Sequence, residues 1–330
     1  MTHRDPPIER PDDPPTAVRS SCRRTMLAPR FVTIDDEALD RLAAQIPALL
    51  AGVPADLDGS AARSEPGPHD ERDLALRVLA LDAINFGSGY HDSVRKEPGL
   101  SGARTMATRL ERYVDATGPF EAVRLRRITV DDASQVFGQE LDGGALEELM
   151  TRFAAALADL GQWLSTFDDD PLAAIAAADR SAARFTRSLL EMPYFRDAEQ
   201  LDGEVVHFYK RAQITAADLD RRLGPIAGGP MFDDLAHLTA FADNLVPHVL
   251  RVDGVLRYDP ELAAMIDRGD RLEPGGRPEI EIRAAGVEVV ERLAARTGAR
   301  PMDIDEMLWL RGGAPEYKAI RRHRARSLFY

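Results

Sequence analysis

The chain has 330 residues, 44% of them hydrophobic, and carries 42 Lys and Arg against 55 Asp and Glu, a formal net charge of −13. That length predicts one large domain or two intimate ones with a sizeable core, and the acidity argues against non-specific binding to a nucleic-acid polymer or an anionic membrane, because both need a positive field. Cys22 is the only cysteine, which excludes an intrachain disulfide and a cysteine-based zinc site; with no apolar run near the ~18 residues of a membrane span and no signal-peptide core, the expectation is a cytoplasmic protein.

Residues 1–30 mix prolines, arginines and acids with little apolar periodicity, so a disordered tail is expected there, followed by one helical domain over residues 31–330. "TIDDEALDRLAAQIPALLAG" predicts the first helix, with Thr33 as its cap and Asp35, Asp36 and Glu37 favourable at its positive end. Residues 53–73 read as a polar connection. "RDLALRVLALDAINF" predicts a buried helix, and a second helix starts near Ser101 or Thr105 after a loop holding Gly87, Gly89, Gly99 and Gly102. "GALEELMTRFAAALADLGQWLSTF" and "LAAIAAADRSAARFTRSLLEM" predict one helix each, the latter ended by Pro193. Only "GEVVHFY" and "GVLRY" invite strands. "EIEIRAAGVEVVERLAARTG" places Ile282, Ala285, Gly286, Val289 and Leu293 on one stripe, with Gly298 as its C-cap. The fold class is mainly α, with few or no short strands.

Four stretches carry candidate chemistry. In "INFGSGYHDSVRKEPGLSG", glycines can admit a ligand close to the backbone or serve only as turns; the spacing is neither a phosphate-binding P-loop nor a dinucleotide fingerprint. "HFYKRAQI" sets Phe208 and Tyr209 before Lys210, Arg211 and Gln213. A helix starts at Thr215, with Asp218 completing a capping box, or it runs through Thr215 and puts Lys210 and Gln213 on one face. In "HLTAFADNLVP", Leu238, Phe241, Ala242 and Leu245 have helical spacing, but Pro247 clashes with the carbonyl of the residue four earlier, Asp243, so the helix breaks there. In "EIEIRAAG", Glu279 and Arg283 can pair one turn apart. The closing "RRHRARSLFY" is either a phosphate-facing tail or, the favoured reading, a basic end docked on an acidic body. The histidines lack metal-ligand spacing.

In combination, "MPYFRDAEQLDGEVVHFYKRAQITAADL", "FDDLAHLTAFADNLVPHVLRVDGVLRYDPELAAMID" and "EIEIRAAGVEVVERL" resemble the queuosine salvage protein family, the queuosine 5′-phosphate N-glycosylase/hydrolases, over roughly residues 74–310. The resemblance implies a helical fold related in architecture to DNA glycosylases, and cleavage of the N-glycosidic bond of queuosine 5′-monophosphate to free queuine for tRNA modification. It implies Asp243 as the catalytic carboxylate, with Lys210 and the aromatics of "HFYKR" lining the pocket. Chemistry agrees: a carboxylate stabilises an oxocarbenium-like sugar. Lys210, Arg211 and Arg283 are candidates for the phosphate, and Phe86, Phe208 and Tyr209 for the flat base. Asn85, Gln213, Asn244 and Glu281 complete the substrate-binding set. No metal or organic cofactor is implied, and the partner is a small nucleotide.

The chain departs from the family where "NFGSGYH" follows the buried helix in place of an aromatic-rich stretch, and at Asn244. The alternatives are therefore an N-glycosidase for another purine or 7-deazapurine nucleotide, and a non-catalytic nucleotide-binding helical protein.

Overall fold

Apolar residues at helical spacing build most of this molecule from helices. A computed structural model describes residues 10–53 and 71–330. In chain order the elements are α1 Pro14–Thr25, β1 Val32–Ile34, α2 Asp36–Ala51, α3 Glu71–Ala83, α4 Gly102–Thr117, α5 Ala122–Leu125, α6 Val130–Phe137, α7 Ala145–Leu164, α8 Pro171–Ala176, α9 Ala182–Leu189, β2 Ala198–Leu201, β3 Glu204–His207, α10 Lys210–Ala227, α11 Val246–Val252, β4 Leu256–Tyr258, α12 Pro260–Arg268, α13 Arg277–Thr297, α14 Pro301–Arg311 and α15 Pro315–Lys318. β1 pairs antiparallel with β4, Val32 opposite Tyr258, and β2 with β3, Ala198 opposite His207. The β2–β3 hairpin turns at Asp202-Gly203, both at positive φ, as a tight hairpin turn requires.

The centre is α13. From Glu279 to Val290 every residue is buried, the signature of a helix packed on all sides. α1, α2, α11, α14 and β1 surround it, while α10 lies against α3 and α9. Gly298 ends α13 at φ 74°, a conformation a side chain resists. No described helix is long and apolar enough to cross a membrane.

The mainly α expectation and the helices over 36–51, 71–83, 102–117, 145–164 and 277–297 agree with the structure. Several local expectations are corrected. The disordered tail expected over residues 1–30 contains α1: Asp13 Oδ1 accepts from Thr16 N at 3.2 Å, Pro14 opens the first turn, and Val18, Ser21 and Cys22 are buried. The first nine residues of that expectation, and most of the connection over 53–73, lie outside the described residues. Thr33 belongs to β1, and Asp35 caps α2 by accepting from Ala38 N at 2.8 Å. The helix expected through "LAAIAAADRSAARFTRSLLEM" is two, because Asp179 and Arg180 between them take positive φ. The stripe over 238–245 is not helical, and α11 begins only at Val246 with Pro247 in its first turn.

Candidate functional site

The turn from β3 into α10 is strained and heavily tied. Tyr209 has φ 49° and ψ 37°, left-handed for a bulky residue. The carbonyl of Asp197 accepts from Phe208 N at 2.9 Å and Tyr209 N at 3.0 Å. Its carboxylate Oδ2 accepts from Lys210 N at 3.2 Å and Arg283 Nη2 at 2.6 Å. α10 therefore starts at Lys210, inside the protein, rather than at Thr215, whose hydroxyl donates back to Arg211 O at 2.7 Å. Lys210 is only 6% exposed. Its Nζ donates to Asn85 O and Oδ1 at 3.3 and 3.1 Å. Burial pulls its pKa down, and the nearby Asp243 carboxylate works against that.

Asp243 lies opposite, on a segment held residue by residue. Gln213 Oε1 accepts from Thr239 N at 2.9 Å, Asp305 Oδ1 from Phe241 N at 3.0 Å, and Ala242 O from Arg283 Nε at 3.0 Å. Pro247 forces the break, and Asp243 Oδ1 accepts from the two backbone groups freed by it, Leu245 N at 2.8 Å and Val246 N at 3.0 Å. Asp243 Oδ2 has no hydrogen bond to a described residue, and the side chain is 9% exposed. Two further buried acids flank the pair. Burial and then the charge of Asp243 push Asp305 well above the usual carboxylate range. Burial and then Asp218 do the same for Asp82, which faces Lys210, Asn85 and Thr215.

The structure brings together Asn85, Lys210, Asp243 and Asn244. Asn244 Nδ2 donates to Ser88 Oγ at 3.1 Å and His323 O at 3.2 Å, tying Asp243 to the glycine loop and the chain's last segment. Gln213 positions the Asp243 segment from below. The other predicted residues serve the frame. Arg211, fully buried, donates to the carbonyls of Ala83, Tyr194 and Leu328 and stacks on Phe86 and Phe195. Arg283 is ion-paired with Asp197 and Glu279 and sandwiched between Phe208 at 3.9 Å and Tyr330 at 5.0 Å. Phe86 also packs on Phe153 and Tyr194. The Tyr209 hydroxyl lies 2.7 Å from His207 Nδ1. Glu281 faces away, accepting from Arg30 N and Phe31 N at 2.9 and 2.7 Å.

Sequence reasoning missed Asp197, Asp305, Ser88 and the use made of residues 320–330. That segment runs as a strap across the site. Gly87 N and Ser88 N donate to Tyr330 O at 3.0 and 3.3 Å, Leu272 N to Arg324 O at 2.9 Å, and Arg324 pairs with Asp92. Its basic residues foretold docking, as expected, but not where. Two surface hollows of about 370 and 410 Å³ lie elsewhere, one beside Tyr113 and Phe120, the other along α1. Neither is lined by Lys210 or Asp243. Among the described residues no three His, Cys, Asp or Glu side chains converge to hold a metal.

A family model described as queuosine salvage protein matches residues 67–330, reaching beyond the expected span into the strap. A queuosine 5′-phosphate N-glycosylase/hydrolase of Sphaerobacter thermophilus is 36% identical over 272 residues, 78% of this chain and 81% of the relative. Relatives of the same name from Dictyostelium discoideum and Bos taurus are 32% and 28% identical, covering 78% and 91% of this chain and 78% and 95% of their own. The strings flanking Lys210 and Asp243 fall within the matched span, and on these matches the chain belongs to the queuosine salvage protein family.

Proposed function

We propose that this protein is a hydrolase that cleaves the N-glycosidic bond of queuosine 5′-phosphate, releasing queuine and ribose 5-phosphate. The observation that carries the reading is the buried Asp243 carboxylate, held at the helix break by Leu245 N and Val246 N, in a family whose named relatives are queuosine 5′-phosphate N-glycosylase/hydrolases. As the bond from the anomeric carbon to the base nitrogen breaks, the electron pair leaves with the base and the sugar gains oxocarbenium character. Asp243 Oδ1 is anchored by two N–H groups, so Oδ2 is the oxygen available to face that positive charge. Water supplies hydroxide to the anomeric carbon and its proton goes to the departing base. Burial of Asp243 strengthens each interaction by excluding solvent.

The glycine loop bears on the substrate. A side chain at Gly87 would meet Leu149, and one at Gly89 the backbone of Ala325. Protein fills the room left by the missing bulk, so the departure does not by itself open a larger base slot. The test is Asp243→Asn, assayed for free queuine. Turnover should fall by about two to four orders of magnitude, with the thermal transition retained. Wild-type turnover in that variant would remove Asp243 from the chemistry, and release of a different base from a nucleotide panel would move the substrate.

A further inference from the structure

A nucleotide with a 5′-phosphate brings a dianion into a protein of charge −13, so a cation must be kept free for it. Of the arginines that the sequence pointed to, the two beside the aromatics of "HFYKR" are already committed. Arg211 donates to three carbonyls, and Arg283 is held by Asp197, Glu279 and Ala242 O. Lys210 has two of its three donors on Asn85.

Arg322 is different. It makes no hydrogen bond or ion pair with a described residue, although it is partly buried. The adjoining His323 carbonyl accepts from Asn244, the neighbour of Asp243. Asp243 is the carboxylate whose charge Arg322 feels, while His91 and His248, both in surroundings that disfavour their charged form, lie within its field. A guanidinium without a partner among the described residues therefore stands on the strap, next to the residue whose carbonyl is tied to Asn244, rather than on the aromatic wall. Its five donors in a plane suit bidentate contact with a phosphate.

We propose that Arg322 grips the 5′-phosphate of the substrate, and so orients the ribose with its anomeric carbon toward Asp243. The proposal rests on the nucleotide reading above. With substrate bound, the phosphate takes the fork and Asp243 is left to the sugar.

The test uses the full-length protein and Arg322→Gln. Ribose 5-phosphate binding, read by calorimetry, should weaken by about ten- to a hundredfold, as for loss of charge-assisted hydrogen bonds. KM for queuosine 5′-phosphate should rise by a similar factor with a smaller change in kcat, while inhibition by free queuine persists. Arg322→Lys should recover part of the affinity. Ribose 5-phosphate affinity within about twofold of wild type in Arg322→Gln would overturn the proposal, as would a parallel loss of queuine inhibition, which marks general collapse of the site. Failure of the wild type to release queuine, with ribose 5-phosphate still bound through Arg322, would sink the substrate reading and leave the anion site standing.

Discussion

At the residue scale, the molecule pairs charges in its interior and leaves a few unevenly matched. Glu199 on β2 is one: burial first, then the carboxylates of Glu279 and Asp197, push its pKa up to about 7 from an ordinary 4.5. A raised acid contributes stability that is fully present below 4.5 and is lost as pH rises through 7. Glu199→Gln should therefore match wild type in urea unfolding near pH 4.5 and be the more stable protein at pH 8. The gap should grow by up to about 1.4 kcal/mol per pH unit in between. An equal gap at both pH values would show that the Glu199 side chain is not acting through its charge. Asp243 was legible for a local reason, since Pro247 dictates a break four residues earlier. The Glu279–Arg283 pair was legible one turn apart, but the role of Arg211 and the Asp197 and Ala242 partners of Arg283 were not, because those partners are distant in sequence.

At the scale of elements, periodicity identified the long helices and failed where a short helix depends on its neighbours. α1 is such a helix. Ser21 Oγ accepts from His207 N at 3.0 Å, and Arg19 donates to Glu291 at 2.8 Å and to the carbonyls of His237 and Leu238 at 2.7 and 3.1 Å. These contacts join α1 to the strand before Lys210 and to the segment before Asp243. Composition could not reveal them, since past its opening prolines the buried apolar side chains of α1 are only Val18 and Cys22, with Arg19, Ser20 and Ser21 between. Cys22 is fully buried and its thiol is pushed far above the usual range by burial, with the Arg283 charge opposing. Native protein should resist iodoacetamide, so that labelling reports undocking of α1. Arg19→Ala should speed labelling by about tenfold, as loss of partly buried charge-assisted bonds costs about 1–3 kcal/mol. Unchanged labelling would mean that Arg19 does not hold the helix.

At the scale of the whole molecule, the strap crosses the candidate site and ties its elements together. Arg324, Ala325, Leu328 and Tyr330 touch a loop, α10 and α13 in turn, and Gly89 is the position that lets the strap lie flat. Gly89 is not at positive φ, and an added methyl would overlap the Ala325 carbonyl, so its requirement is one of space. Gly89→Ala should lower stability by about 1–3 kcal/mol in urea unfolding, as overpacking does, and should raise KM through a displaced Arg322. A variant with unaltered stability and KM would show that the strap gives way without cost.

Sequence by itself determined the helical class, most long helices, the break at Asp243 and the family resemblance. The helices follow from patterns repeated every turn and the break from a proline four residues on, so no distant partner is needed to read them, and the resemblance follows from three strings in order. Tertiary structure decided which cations are already used, that Asp197 sets the entry into α10, and that residues 320–330 cross the site. Each of these depends on groups brought together across tens to hundreds of residues, where burial and hydrogen-bond satisfaction, rather than local spacing, select the partner.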